Sequence, residues 1–287
     1  MPAIGHIRIH RGGVLLFKRV GSAFRGIDGR EWALLSLETM SVVAGILIAF
    51  ELNEWATSRN EAARHDRLME RLLEESEIDL IVIRSFRDDL STMLNREQDF
   101  AVKLAEGKCP TNPEFQAITT LPLMPALTVP TSVYQELMGA GGLSSIERKD
   151  VRDAVAQYYG NLEWTQRQID YFRAARIKPI QEDDPRVKIH FDPKAEEPEV
   201  AAFDGRALCK DQGFKNRVAS ATRAHTVFVS YYQGMLENAI SMCVRLGDSV
   251  GKECTPPHGG PLKGKDAEYA ARVARKMAEE KVSRGKP

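Results

Sequence analysis

The chain has 287 residues, 43% of them apolar and 28% charged, with 40 Lys+Arg set against 40 Asp+Glu. That composition is globular, and it excludes a disordered, collagen-like or disulfide-knot class. A zero formal charge weakens the electrostatic case for a nucleic-acid partner, because a phosphate-tracking surface needs an excess of Lys and Arg somewhere along the chain, and none stands out. Four cysteines are too few to staple a miniature scaffold, and the length allows one or two ordinary domains with a sizeable core.

Residues 1–31 form a short basic tail carrying Arg8, Arg11, Lys18, Arg19, Arg25 and Arg30. Residues 32–52, WALLSLETMSVVAGILIAFEL, bear charge only at Glu38 and Glu51. As a helix this stretch is about 31 Å long, roughly one hydrocarbon core. Trp32 and Trp55 stand at its two ends, where amphipathic rings favour the lipid–water boundary. A buried core helix of a soluble protein is the competing account. Against it, residues 42–50 contain no polar side chain, and no other segment comes close, so the pattern predicts a transmembrane helix. A cleaved signal peptide fits poorly: the apolar run starts some thirty residues in, contains a carboxylate and lacks a small-x-small cleavage site. An uncleaved signal anchor is the better reading. The twenty residues on either side of the span carry equal numbers of bases, four and four. Size breaks the tie, because a short basic tail is retained while a long domain crosses whatever its charge. The N-terminus is therefore expected in the cytoplasm and residues 53–287 outside.

Within the span, Ser41, Gly45 and Ala49 recur at four-residue spacing, a short stripe of small side chains that lets helices approach closely in lipid. Glu38 lies beside its start, about one and two turns from Ser41 and Gly45. A carboxyl at that depth costs a few kcal/mol unless it is protonated, paired or turned to a protein interior. Three roles remain open for it: the polar contact of a helix–helix interface with a second copy or another membrane protein, a proton or ion relay, or a neutral acid bonded to a carbonyl or reaching toward headgroups.

Beyond Asn53 no Gly or Pro appears until Gly107. Met69, Leu72, Leu73, Leu80, Ile83, Phe86, Leu90, Met93 and Leu94 fall mostly at three- and four-residue steps, predicting one amphipathic helix over about 56–106. Unbroken from the membrane, it would rise about 75 Å. Its charge run, NEAARHDRLMERLLEESEIDL, reads as a solvated face. Residues 107–143 are irregular, with prolines at 110, 113, 122, 125 and 130 forbidding regular helix over much of the stretch; VYQELM is long enough for a short one. Gly139, Gly141 and Gly142 have no following Lys-Ser or Lys-Thr and read as a tight turn, not a phosphate loop.

Ser144 and Glu147 have capping-box spacing and open a second helix over about 145–176. Its seam is Val151, Val155, Tyr158, Leu162, Thr165, Ile169 and Phe172. A long loop follows, with an isolated strand at 187–191. A third helix covers about 211–248, with Phe214, Val218, Ala221, His225, Tyr232, Leu236, Cys243 and Leu246 on one side. The predicted fold is all-α: an N-terminal transmembrane helix continuing into a long helix, packed in an antiparallel three-helix bundle with long loops, the extramembrane domain spanning 53–250. Residues 251–287 read as a polar mobile tail with an amphipathic stretch near 267–281.

No constellation for chemistry stands out. The sequence contains no Gly-x-Ser-x-Gly elbow, HExxH or P-loop. Cys254 and His258 are four apart in a proline loop without a second pair, so no metal is expected. Tyr158, Tyr159, Tyr231, Tyr232 and His225 read as core residues. No catalytic residue and no cofactor is assigned, and an enzyme is not expected. All four cysteines fall on the outer side, which permits disulfides. In an up-down-up bundle Cys209 and Cys243 lie at opposite ends of the third helix, whereas Cys109 reaches Cys243 or Cys254, so at least one bond is expected in that distal group.

Glu38, then Gly45-Ile46-Leu47-Ile48-Ala49, Leu52-Asn53 and Trp55, resemble the signature of a domain-of-unknown-function family of small single-span bacterial membrane proteins. Thr131-Ser132-Val133-Tyr134 through Leu137, Gly141-Gly142-Leu143, and Ile146 through Val151-Arg152 to Tyr158-Tyr159 are similar as well. The likeness covers about residues 30–250 and departs at Phe50 and Glu51, where the family has an aliphatic residue and Gln. It implies a bacterial membrane anchor carrying a helical domain, and it supplies no catalytic residues; with the orientation argued above, the expected location is the inner membrane with the bulk of the chain periplasmic. The function expected is a membrane-anchored interaction or scaffold protein that self-associates or holds a membrane protein partner; the alternative is an extracytoplasmic ligand-sensing bundle.

Overall fold

The computed structural model describes residues 29–181, 183–191, 193–194, 199–257 and 260–284. It is mostly helical and divides into two compact units, residues 1–64 and 65–287. Helix α1 is Gly29–Ala105. The absence of Gly and Pro between Gly45 and Gly107 leaves nothing to interrupt its hydrogen-bond ladder over that stretch. In the first unit α1 is exposed on every side: Leu47, Ile48, Phe50 and Leu52 each keep 60% or more of their surface.

The second unit is built from the rest of α1, α2 (Asn112–Phe115), α3 (Ala117–Thr120), α4 (Ser132–Gly139), a 3-10 turn (Gly142–Ser145), α5 (Lys149–Ala174), strands β1 (Val187–Phe191) and β2 (Glu199–Phe203), α6 (Gly205–Lys210), α7 (Gln212–Val250) and α8 (Gly264–Arg284). Its main core joins Leu72, Leu80, Ile83 and Leu90 of α1 to Val151, Val155 and Leu162 of α5 and Leu236, Ile240 and Leu246 of α7. Each of these side chains contributes about 1.5–3 kcal/mol by leaving water. A second core gathers round Phe115, which lies edge-on to Phe100 at 5.0 Å and stacked on Phe203 at 5.4 Å.

The helix order differs from the sequence expectation. Glu97 meets His225, Phe86 meets Tyr232 and Lys252 meets Glu70, so α7 runs antiparallel to α1. Phe172 meets Phe228, Trp164 meets Tyr231 and Asp150 meets Arg245, so α7 is also antiparallel to α5. Helices α1 and α5 are therefore parallel, not antiparallel. The connection 106–148 is long enough to return along the bundle before α5 begins: Thr120 bonds Glu97, Ser132 bonds Glu75, and Arg71 pairs with Glu136. The result is an up-up-down-down arrangement with an extended crossover. Helix α8 adds the second downward element: its start ties to α1 through Arg87 and Asp266, and its end ties to the end of α7 through Lys281 and Asp248.

That order corrects the cysteine pairing. Cys109 follows α1 and Cys209 precedes α7 at the same end of the bundle, and the two are bonded across a separation of 100 residues, worth on the order of 4–5 kcal/mol in chain entropy. Cys243 pairs with Cys254, whose segment turns back beside α7, so the distal group does hold the expected bond, formed without Cys109. Further corrections are local. Strand β1 is not isolated, since it pairs antiparallel with β2, Val187 opposite Phe203. The Ser144–Glu147 capping box does not form, because the Ser144 hydroxyl donates to the Gly141 carbonyl inside the 3-10 turn and α5 starts later, capped by Arg148 without a side-chain bond. Gly141 and Gly142 do make the tight turn, at φ +114° and +67°, a region costly for residues with a Cβ. The segment 264–284 is no loose tail: Val273 and Met277 are buried.

The return after α7 depends on Gly247, where a Cβ would lie 2.7 Å from the Lys252 carbonyl oxygen. Gly247→Ala is expected to cost about 1–3 kcal/mol, read as a lower melting temperature of the detergent-solubilised chain. Gly160→Ala, where nothing lies within 4 Å, should not destabilise.

Candidate functional site

Two places in the chain combine unusual chemistry with defined geometry. The first is the apolar part of α1. Over an 18-residue window of mean hydropathy 1.3 it is long and apolar enough to cross a membrane, and 0% of that window is buried. Glu38, Ser41, Gly45 and Ala49 are all exposed, and a Cβ at Gly45 would meet nothing within 4 Å. Trp55 is 61% exposed, with the Arg59 guanidinium 5.4 Å from its ring centre, an arrangement suited to an interfacial aromatic. The side chain of Trp32 lies outside the described residues.

The second is a set of charged groups buried in the 65–287 unit. Glu75 and Asp79, one turn apart on α1, face the core at 4% and 0% exposure. Glu75 is saturated: one oxygen accepts from the Val133 amide at 2.8 Å and the Ser132 hydroxyl at 3.2 Å, the other from the Tyr159 hydroxyl at 3.0 Å and the Tyr134 amide at 3.2 Å. It thereby satisfies two of the free amides at the start of α4 and complements that helix's positive end. Asp79 is not saturated. Its Oδ2 accepts from the Tyr158 hydroxyl at 2.7 Å, while Oδ1 has no partner. Burial pushes the Asp79 carboxyl up to about 7, against the lowering effect of the Tyr158 bond and with help from the neighbouring Glu75 charge. Burial likewise raises the Tyr158 and Tyr159 phenols, so both remain donors.

Further along α1, Glu97 and His225 are both fully buried, Nδ1 to Oε2 at 2.5 Å, and the Thr120 hydroxyl donates to the other Glu97 oxygen at 2.7 Å. The pair is joined through Nδ1; Nε2 has no partner. The hydroxyl here bonds the carboxylate and not the imidazole, the reverse of the order that activates a nucleophile. This trio joins α1, α3 and α7. Among the described residues no group of three or more His, Cys, Asp or Glu is placed to hold a metal. Cys254 is engaged in its disulfide, and His258 lies outside the described residues.

Sequence reasoning placed Glu75 and Asp79 on a solvated face. The structure overturns that, and the signal was present: Leu72, Glu75, Asp79, Ile83 and Phe86 continue one three-four spacing, so the two acids occupy core positions opposite the Tyr158–Tyr159 pair. Tyr158, Tyr159 and Tyr232 are core residues as expected, whereas Tyr231 is only half-buried, edge-on to Trp164.

The surface also holds a groove of about 770 Å³ between α1, the crossover and the end of α5, floored by Phe86, Leu90, Met93 and Met124 with Asp89 and Arg176 among its charged lining residues. No protein-family model, curated protein or solved structure matches the chain.

Removing one partner of the buried trio leaves the other charged group or hydrogen-bonding atom unpaired. Glu97→Ala is expected to cost about 3–5 kcal/mol, whereas Glu136→Ala, which breaks the exposed Arg71–Glu136 pair, should cost under about 1 kcal/mol. Chemical denaturation of both variants checks the contrast.

Proposed function

We propose that this protein is a single-span membrane-anchored interaction or scaffold protein, its apolar segment 32–52 in the bilayer and its helical unit on the far side. One observation carries the reading: an 18-residue stretch of α1 that is apolar and 0% buried. Exposed apolar surface on that scale is stable only against lipid or protein. The two disulfides support an outward placement of residues 65–287, since such bonds persist in oxidising compartments; the basic tail before the span favours the cytoplasmic side for the N-terminus. In a bacterial cell, the source that the family resemblance suggests, this is the inner membrane with the bulk of the chain in the periplasm.

Self-association, or capture of another membrane protein, is assigned to Ser41, Gly45 and Ala49 with Glu38 as the polar contact. The open space at Gly45 suits a neighbouring backbone, and a paired carboxyl there avoids the cost of a lone one in hydrocarbon. In-membrane cross-linking tests it: Gly45→Ile should reduce the cross-linked oligomer several-fold, and unchanged cross-linking counts against the stripe.

The groove beside Phe86 favours a second reading, a ligand-sensing bundle, because its volume suits a small molecule. Thermal-shift screening of the solubilised chain against metabolites separates the two, since a specific binder raises the melting temperature by mass action.

A further inference from the structure

The two acids on the buried face of α1 are served unequally. Glu75 takes four donors, three from α4 and one from α5. Asp79, with no exposed surface, takes one, and its second oxygen faces no donor. The charged and titratable groups set against Asp79 are Glu75 on its own helix and Tyr158 on α5, with Tyr159 and Tyr134 beyond them on α5 and α4. None of these is a cation. A full negative charge on Asp79, one turn from Glu75 and with a single hydrogen bond, is poorly supported, whereas a neutral acid removes the repulsion and most of the desolvation cost.

We propose that Asp79 is a proton-operated latch: as a neutral acid it closes the seam between α1 and α5, and as a carboxylate it loosens that seam. The opening reaches the crossover, because Tyr159 at the same seam shares Glu75 with the first residues of α4, and Tyr134 stacks on Tyr159 at 3.6 Å. The value of about 7 for Asp79, raised by burial, places the change within a range that an extracytoplasmic compartment experiences. The sign follows from linkage. The closed state holds the proton more tightly than the open one, so the free energy of opening is greatest at low pH, falls as pH rises from about 4, and levels off above about 7. The latch belongs to the 65–287 unit and stands whether or not the chain crosses a membrane.

Hydrogen exchange of the full chain in detergent, corrected for the intrinsic rate at each pH, tests this. Protection in α4 and in residues 155–162 should fall roughly tenfold per pH unit between about 5 and 7 and flatten above. Asp79→Asn should abolish the slope. Tyr158→Phe, which keeps the ring and deletes the donor that favours the carboxylate, should carry the slope to higher pH before it flattens; this variant decides the matter if Asp79→Asn does not fold. A wild-type protection independent of pH, a slope that survives Asp79→Asn, or a Tyr158→Phe profile that flattens at the same pH as wild type would each overturn the latch.

Discussion

The constraint on which this molecule rests is that a long apolar stretch of α1 is not buried by any of the described residues. Leu47, Ile48, Phe50 and Leu52 are all at least 60% exposed, while equally apolar residues thirty positions on, such as Leu80 and Ile83, are completely buried. The same helix therefore serves two environments. Burying a Leu or Ile side chain is worth about 1.5–3 kcal/mol, so the segment from Leu37 to Leu52 carries a large unsatisfied drive out of water. That drive is what a membrane or an intimate partner helix meets.

The 65–287 unit solves a different problem, placing charge inside a helical core. Glu75 and Glu97 succeed because each oxygen has a donor; both join α1 to other elements, Glu75 to α4 and α5, Glu97 to α3 and α7. Polar groups of this kind fix register, since a slide of one turn would strand a carboxylate in apolar surroundings. Asp79 is the incomplete member of the series. Together with the Cys109–Cys209 and Cys243–Cys254 bonds at the two connections, these groups pin the order of helices that apolar packing alone leaves degenerate.

The long helices were legible in the sequence because their apolar residues keep a three-four spacing over many turns and no Gly or Pro intervenes between Asn53 and Gly107. Their direction was not. A proline-rich connection of some forty residues permits α5 to start at either end of α1, and contacts such as those of Thr120, Ser132 and Glu136 with α1 reveal that the chain returns first. Assuming an up-down-up order then misassigned Cys109, since it put the wrong end of α7 beside it. The strand β2 went unseen because EVAAF is short and weakly alternating, with nothing local to mark it. Among the site residues, Glu38, Gly45 and Trp55 stood out by contrast with an apolar background. Glu75 and Asp79 were hidden among other charges, and only their phase relative to Leu72 and Ile83 distinguished them.

The most direct measurement of the central claim is fractionation of the intact chain expressed in a bacterial cell. After detergent-free lysis and an alkaline carbonate wash, the account predicts that the protein stays in the high-speed pellet and is released only by detergent, as an integral membrane protein is. Recovery of the intact chain in the supernatant, folded and monodisperse without detergent, would contradict it.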